Sequence, residues 1–181
     1  HLLSLIYWLD DSPAAPIKGV ILANEVVDAL PVDQFLWVED TIQEVRVAYA
    51  RDQFNYHLAP IDDLLTCQLS QLRAAYFPEV KTYQSEVCRG LSDWISKLSY
   101  ALEQGLILII DYGFPAQEYY HPDRANGTLM CYCQHRAHAD PLSLVGLQDI
   151  TASVDFTSLA RAAIQAGLKV AGFTSQAVFL L

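Results

Sequence analysis

The chain has 181 residues, 52% of them hydrophobic, with a formal net charge of −10 and a pI near 4.7. That length and apolar content support one packed domain and exclude a disordered chain. The acidic balance repels a nucleic-acid backbone and suits a cationic partner, such as an arginine-bearing peptide or a sulfonium cofactor.

The chain opens on the strand-like stretch "LLSLIYWL", with no starting Met and no basic n-region of a signal peptide, and reads as a fragment of something longer. "IKGVILANE" is a β-branched run that predicts a buried strand over Val20 to Ala23. "VVDAL" after it is too short for an independent helix, and Pro31 limits it to about a turn. "QFLWVED" and "IQEVRVAYA" then alternate as a hairpin about "EDT", and "FNYHLA" extends it as a third strand, so a β-hairpin insertion is expected over 35–60.

"IDDLLTCQLSQLRAAYF" carries helical spacing in Leu64, Leu65, Leu69, Leu72 and Ala75, and Pro78 stops it. "EVCRGLSDWISKLSYALEQG" repeats the pattern through Val87, Leu91, Trp94, Ile95, Leu98 and Leu102, with Gly105 as the expected stop. "LILIIDYGF" is a continuous apolar strand ending in Asp111, and Leu106 to Ile110 is far too short to cross a bilayer.

A long polar connection follows, and long loops in compact domains are often functional. Within it "CYCQHRAH" crowds Cys131, Cys133, His135 and His138 together. Alternation along a strand would put Cys131, Cys133 and His135 on one face. Four ligands this compressed do not wrap a tetrahedron, so no metal site is expected, and the cysteines (Cys67 and Cys88 included) are read as reduced thiols. "DITASVDFTSLARAAIQAG" reads as a helix capped by Asp155 or Thr157, with Leu159, Ala163, Ile164 and Leu168 as its apolar stripe. "LKVAGFTSQAVFLL" reads as a closing strand, or two. A helix–strand alternation of this kind is α/β, with a mainly parallel sheet.

The acids at the strand ends are the candidate chemistry, because open α/β sheets bind ligands at the carboxyl ends of their strands. Asn24, Glu25 and Asp28 follow the first strand and Asp111 and Tyr112 follow the second. A bland alternative stands beside this: Glu25 and Asp28 as acids of a helix start, Asp111 as a cap on backbone N–H groups. Tyr119, Tyr120, His121 and Arg124 are candidates for a lid, and Asp149 for the substrate rim.

"GVILANEVVDALPV", "LILIIDYGFPAQEYYHPDRANGTLMCY", "GLQDITASVDFTSLARAA" and "TSQAVFLL", in this order and spacing, resemble the MidA-like family of S-adenosylmethionine-dependent methyltransferases. The resemblance runs from about Trp8 to Leu181 and is weakest over Asp52 to Thr82. It implies the latter part of a Rossmann-like methyltransferase sheet. It also implies methylation of a protein arginine, and a role in respiratory complex I assembly for mitochondrial members. The family's glycine-rich cofactor loop has no counterpart here, so the residues binding S-adenosylmethionine are not assigned. On this reading Glu25, Asn24 and Asp28 are catalytic, and Asp111, Tyr112, Tyr119, Arg124 and Asp149 touch the substrate. The setting is the mitochondrial matrix in a eukaryote or the cytoplasm in a bacterium, and an exposed sheet edge offers a route to a homo-oligomer. The rival function is a non-catalytic scaffold whose acidic crevice docks a basic partner.

Overall fold

The computed structural model describes residues 2–181. Its opening is not a strand: Leu2–Leu5 form one 3-10 turn, and the first strand is Ile17–Asn24 (β1). The chain then builds an antiparallel sheet from Asp33–Val38 (β2), Thr41–Ala50 (β3), Gln53–Ala59 (β4) and Thr82–Val87 (β5), in the order β4-β3-β2-β5. The helix Asp63–Tyr76 (α1) lies between β4 and β5 in the chain. Its start is fixed by Asp62, whose carboxylate accepts the Leu65 N–H at 2.8 Å.

β5 corrects the sequence reading, which assigned Val87 to the next helix. Of its residues, Tyr83, Ser85, Glu86 and Val87 are all buried, two of them polar, so no apolar alternation marks the strand. The helix itself is Leu91–Ala101 (α2), and it runs directly into Leu102–Ile110 (β6). Gly105 is therefore not a helix stop. It lies inside β6, paired with Gly19 of β1, with φ +147°, and a Cβ there would fall 1.7 Å from the Gly19 carbonyl oxygen. The glycine permits a close approach of two backbones.

β1 and β6 pair in parallel from Ile17↔Leu102 to Asn24↔Ile110. Beyond β6 come Gly113–Phe114 (β7), Ala116–Tyr119 (α3), Met130–Cys133 (β8), Arg136–His138 (β9), Asp149–Thr151 (β10), Val154–Asp155 (β11), Phe156–Gln165 (α4) and Gln176–Phe179 (α5). The long connection is thus structured. Gln134 and His135, both at positive φ, make the tight turn between β8 and β9, so His135 does not share a strand face with Cys131 and Cys133. Asp155 caps α4 as expected, accepting from the N–H groups of Thr157 and Ser158. The closing segment is no strand: Ser175 caps the single turn of α5, and it finds no strand partner among the described residues.

Two cores result. Phe35, Trp37, Leu65, Leu69, Phe77 and Tyr83 bury α1 against one face of the antiparallel sheet, with Phe77 and Tyr83 stacked at 4.0 Å. Val27, Leu91, Ile95, Val154, Leu159 and Ala162 join α2 and α4 beneath the ends of β1 and β6. No helix among the described residues is long and apolar enough to cross a membrane.

Candidate active site

Parallel pairing brings the carboxyl ends of β1 and β6 side by side, and the Glu25 N–H continues the ladder to the Ile110 carbonyl at 2.9 Å. The chain leaving β1 must then turn, which exposes backbone donors. Asp111, just past β6, takes them. Its Oδ2 accepts the N–H groups of Val27 (3.0 Å) and Asp28 (3.2 Å), and its Oδ1 accepts that of Tyr112 (2.9 Å). Burial pushes the Asp111 carboxyl above the usual carboxylate value. These N–H groups pull it down, and the neighbouring Asp28 adds to the rise. Asp111 is therefore a clasp that holds the turn after β1.

The clasp presents Asp28 inward. Its backbone carbonyl accepts the Ala152 N–H at 2.9 Å, which anchors it to the segment between β10 and β11. Its side chain is only 6% exposed. Oδ2 accepts the Tyr112 hydroxyl at 2.5 Å, while Oδ1 is buried with no hydrogen-bond partner among the described residues. An unpaired buried carboxylate oxygen is costly, of the order of 1–3 kcal/mol. Burial first, then the bond to Asp28, raise the Tyr112 hydroxyl well above its ordinary value, so it stays a donor.

Glu25 stands at the mouth. Its φ is +48°, in the left-handed region that costs a non-glycine residue about 1 kcal/mol, and its side chain is exposed. Asn24 beside it is exposed too. Residues 25–30 form turns and no helix. The helix-start reading of Glu25 and Asp28 therefore has no helix to serve.

A family profile described as "Putative S-adenosyl-L-methionine-dependent methyltransferase" matches residues 1–174. The chain belongs to this methyltransferase family. Human protein arginine methyltransferase NDUFAF7, mitochondrial, is 32% identical over 165 residues, covering 87% of this chain and 34% of its own length. The Danio rerio protein of the same name is 28% identical over 166 residues, covering 87% and 36%. A COG1565 superfamily member from Burkholderia thailandensis, solved with S-adenosyl-homocysteine bound, superposes with a TM-score of 0.90 at 36% identity. The match covers 99% of this chain and 45% of that one. The chain thus spans about a third of the length of these curated relatives and under half of that solved chain. The α/β fold is that of a Rossmann-like methyltransferase, and the parallel β1–β6 pair belongs to its sheet.

The groups left available at the β1–β6 ends are few. Asn24 and Glu25 are open to a ligand, and Asp28 offers a buried oxygen that lacks a donor. These groups fit an acceptor rich in N–H. The described residues contain no glycine-rich strand-to-helix turn of the kind that cradles a nucleoside, so no cofactor contact is assigned to them.

The other residues singled out in the sequence lie elsewhere. Tyr119 and Tyr120 are 3% and 2% exposed, so they are core and not a lid. The Tyr119 hydroxyl donates to Glu86 Oε1 at 2.8 Å, and burial first, then Glu86, push it far above its usual value. Arg124 stacks on the Phe114 ring, its guanidinium carbon 3.9 Å from the centroid. Asp149 is exposed on β10, opposite Tyr132. Of the expected set, Asn24, Glu25, Asp28, Asp111 and Tyr112 lie at the two strand ends, Tyr119 is in the core and Arg124 is stacked on Phe114.

Sequence reasoning passed over Glu86 and Thr128. Glu86 is fully buried, and its Oε1 also accepts the N–H and hydroxyl of Thr128 at 2.8 and 2.6 Å. The Thr128 hydroxyl oxygen in turn accepts the Ser153 N–H at 2.9 Å, next to the Ala152 that holds Asp28. The one available signal was "NGTL", a turn followed by a hydroxyl side chain. Gly113 belongs to this framework as well, since a Cβ there would meet the Val154 carbonyl oxygen at 2.0 Å.

Proposed function

We propose that the intact protein transfers a methyl group from S-adenosylmethionine to an arginine of a protein substrate, and that this chain supplies the arginine side of the site. The observation that carries the reading is Asp28 Oδ1, a buried carboxylate oxygen without a donor, three residues along the chain from the exposed Glu25. A guanidinium carries five N–H donors in a fixed fork and is charged throughout the working pH range. Asp28 Oδ1 accepts one of them and Glu25 another, which leaves one nitrogen free and oriented. S-adenosylmethionine, when bound, supplies a methyl carbon activated on a sulfonium, so the work left to the protein is alignment. Tyr112 holds Asp28 in place by donating to Oδ2, and Asn24 offers an amide to the acceptor's backbone. The proton shed by the methylated nitrogen passes to the Glu25 carboxylate, which is open to solvent. The names of the NDUFAF7 relatives and the nucleoside product bound in the solved neighbour support this reading. The names of the NDUFAF7 relatives also support a mitochondrial setting for a eukaryotic protein, and the matrix and a part in complex I assembly belong to the proposal. A homo-oligomer formed through an exposed sheet edge is the remaining part of the proposal.

The test is paired. Glu25→Gln and Asp28→Asn in the intact protein are measured for single-turnover methyl transfer to an arginine peptide and for denaturant midpoint. Each should slow transfer about a hundredfold, the scale of losing one charged contact aligned with the reacting group. Unchanged transfer with a lowered midpoint would reduce both acids to structural roles.

A further inference from the structure

The face of the antiparallel sheet opposite α1 is divided. Over β5 it is closed by residues 119–128, which bring Tyr119 and Thr128 onto Glu86. Over β3 and β4 it is open. Register places Val45 opposite Leu58, Val47 opposite Tyr56 and Tyr49 opposite Phe54, so these six side chains form one apolar ladder on one face. Five of them are 41–63% exposed, namely Val47, Tyr49, Phe54, Tyr56 and Leu58. Beside the ladder the segment from Asp140 to Val145 stands as a wall. It is braced by the Leu142 N–H to Asp140 Oδ1 (3.0 Å) and by Gln148 Nε2 to the Pro141 carbonyl (2.8 Å). Between wall and β4 lies a cleft of about 530 Å³. Phe54, Tyr56, Leu142 and Val145 supply its apolar lining, Asp52 and Asp140 its charge, and no Lys or Arg lines it.

We infer that this cleft is a second grip on the protein substrate, taking an extended segment that carries an arginine between apolar residues. The inference rests on the arginine-methylation reading above, and it places the contact outside the Glu25–Asp28 site. Three features select the occupant. Two carboxylates with no opposing cation complement a positive segment. The exposed faces of Phe54 and Tyr56 accept a stacked guanidinium, a contact the molecule already makes twice, with Arg73 over Trp37 and Arg124 over Phe114. β4 is the edge of its sheet, so alternate N–H and C=O groups of the strand point outward for an added strand. A second copy presenting this same face is disfavoured, because it would bring two more carboxylates to the cleft and no cation.

The experiment uses the intact protein and a short fluorescein-labelled peptide alternating Arg with Leu and Ser, beside the same peptide with Glu for Arg. Asp52→Asn and Asp140→Asn remove charge with little change of shape. Asn tolerates the φ of +61° at residue 52 and keeps the acceptor for Leu142 at residue 140. Tyr56→Ser, at an exposed position, removes the ring. Fluorescence anisotropy should show the Arg peptide bound and the Glu peptide not, and the three changes together should weaken binding at least tenfold. Methyl transfer to a minimal arginine substrate, too short to reach the cleft, should keep its kcat, while KM for the long peptide rises. Binding unchanged in the triple variant overturns the inference, as does a switch from dimer to monomer by light scattering, which would make a second copy the occupant. If the triple variant loses peptide binding while no arginine substrate is ever methylated, the docking surface stands and the arginine-methylation reading falls.

Discussion

The antiparallel sheet with α1 and the parallel pair β1–β6 make an instructive contrast. In the first, large side chains close on one another within a contiguous stretch of chain: Phe35, Leu69, Phe77 and Tyr83 are each at most 1% exposed. In the second, Val20 and Leu22 of β1 are both 62% exposed and Leu106 of β6 is 46% exposed. A two-strand parallel sheet is too small to cover its own faces. Within this chain the better-covered unit carries no candidate catalytic residue, and Glu25 and Asp28 sit at the end of the less covered one.

The largest expected effect comes from making the same truncation in both regions. Leu69→Ala, at a fully buried site, should cost about 3–5 kcal/mol, whereas Leu22→Ala should stay within about 0.5 kcal/mol. Urea denaturation of the two variants decides it, and equal costs would erase the contrast. Next in size is Glu86→Leu, which strands the Tyr119 hydroxyl and both donors of Thr128 and should cost about 2–4 kcal/mol. Since Thr128 also holds the segment that anchors Asp28, hydrogen exchange at Ala152 and Ser153 should quicken in parallel. Asp111→Ala, which removes the clasp at the site, should cost about 1–3 kcal/mol for the backbone donors it frees.

Glu25→Gly should go the other way. Relief of a left-handed φ should raise stability by up to about 1 kcal/mol while methyl transfer collapses, and a loss of stability would refute the strain at this position. The smallest effect is on pH. The Asp111 carboxyl titrates above its unfolded value of 3.8, so the folded form binds the proton more tightly. Its contribution is thus greatest below about pH 4 and is lost as pH rises through the folded value. Thermal melts of Asp111→Asn against the parent should show this component flattened above about pH 4.

What could be read from sequence depended on whether the cause was local. α1 and α4 were legible because Asp62 and Asp155 stand at their caps and Pro78 and Gly167 beyond their ends. β1 and β6 were legible as apolar strands, but burial over Val20 to Ala23 holds only for Ala23, with Val20 and Leu22 both 62% exposed. β5 was not legible, because Glu86 is held in the interior by donors some forty residues downstream, such as Thr128. Gly105 was misread because its reason is a neighbouring backbone from β1. The site divided along the same line. Acids after two buried strands marked Asn24, Glu25, Asp28 and Asp111, but the clasping role of Asp111 and the burial of Asp28 depend on Tyr112 and Ala152, which pairing patterns do not announce. Tyr119 was misplaced because an aromatic in a polar stretch gives no sign of the buried carboxylate it serves.

The pairing of Ile17 with Leu102 encloses the whole antiparallel sheet within one loop of chain. Bringing such distant partners together costs loop entropy that β2, β3 and β4, adjacent in sequence, scarcely incur. The order of events during synthesis follows. The meander of β2–β4 can form as soon as it emerges, α1 and β5 complete its core, and the β1–β6 pairing waits until β6 is made. The clasp of Asp111 on the turn after β1 therefore closes late, on a meander that is already folded.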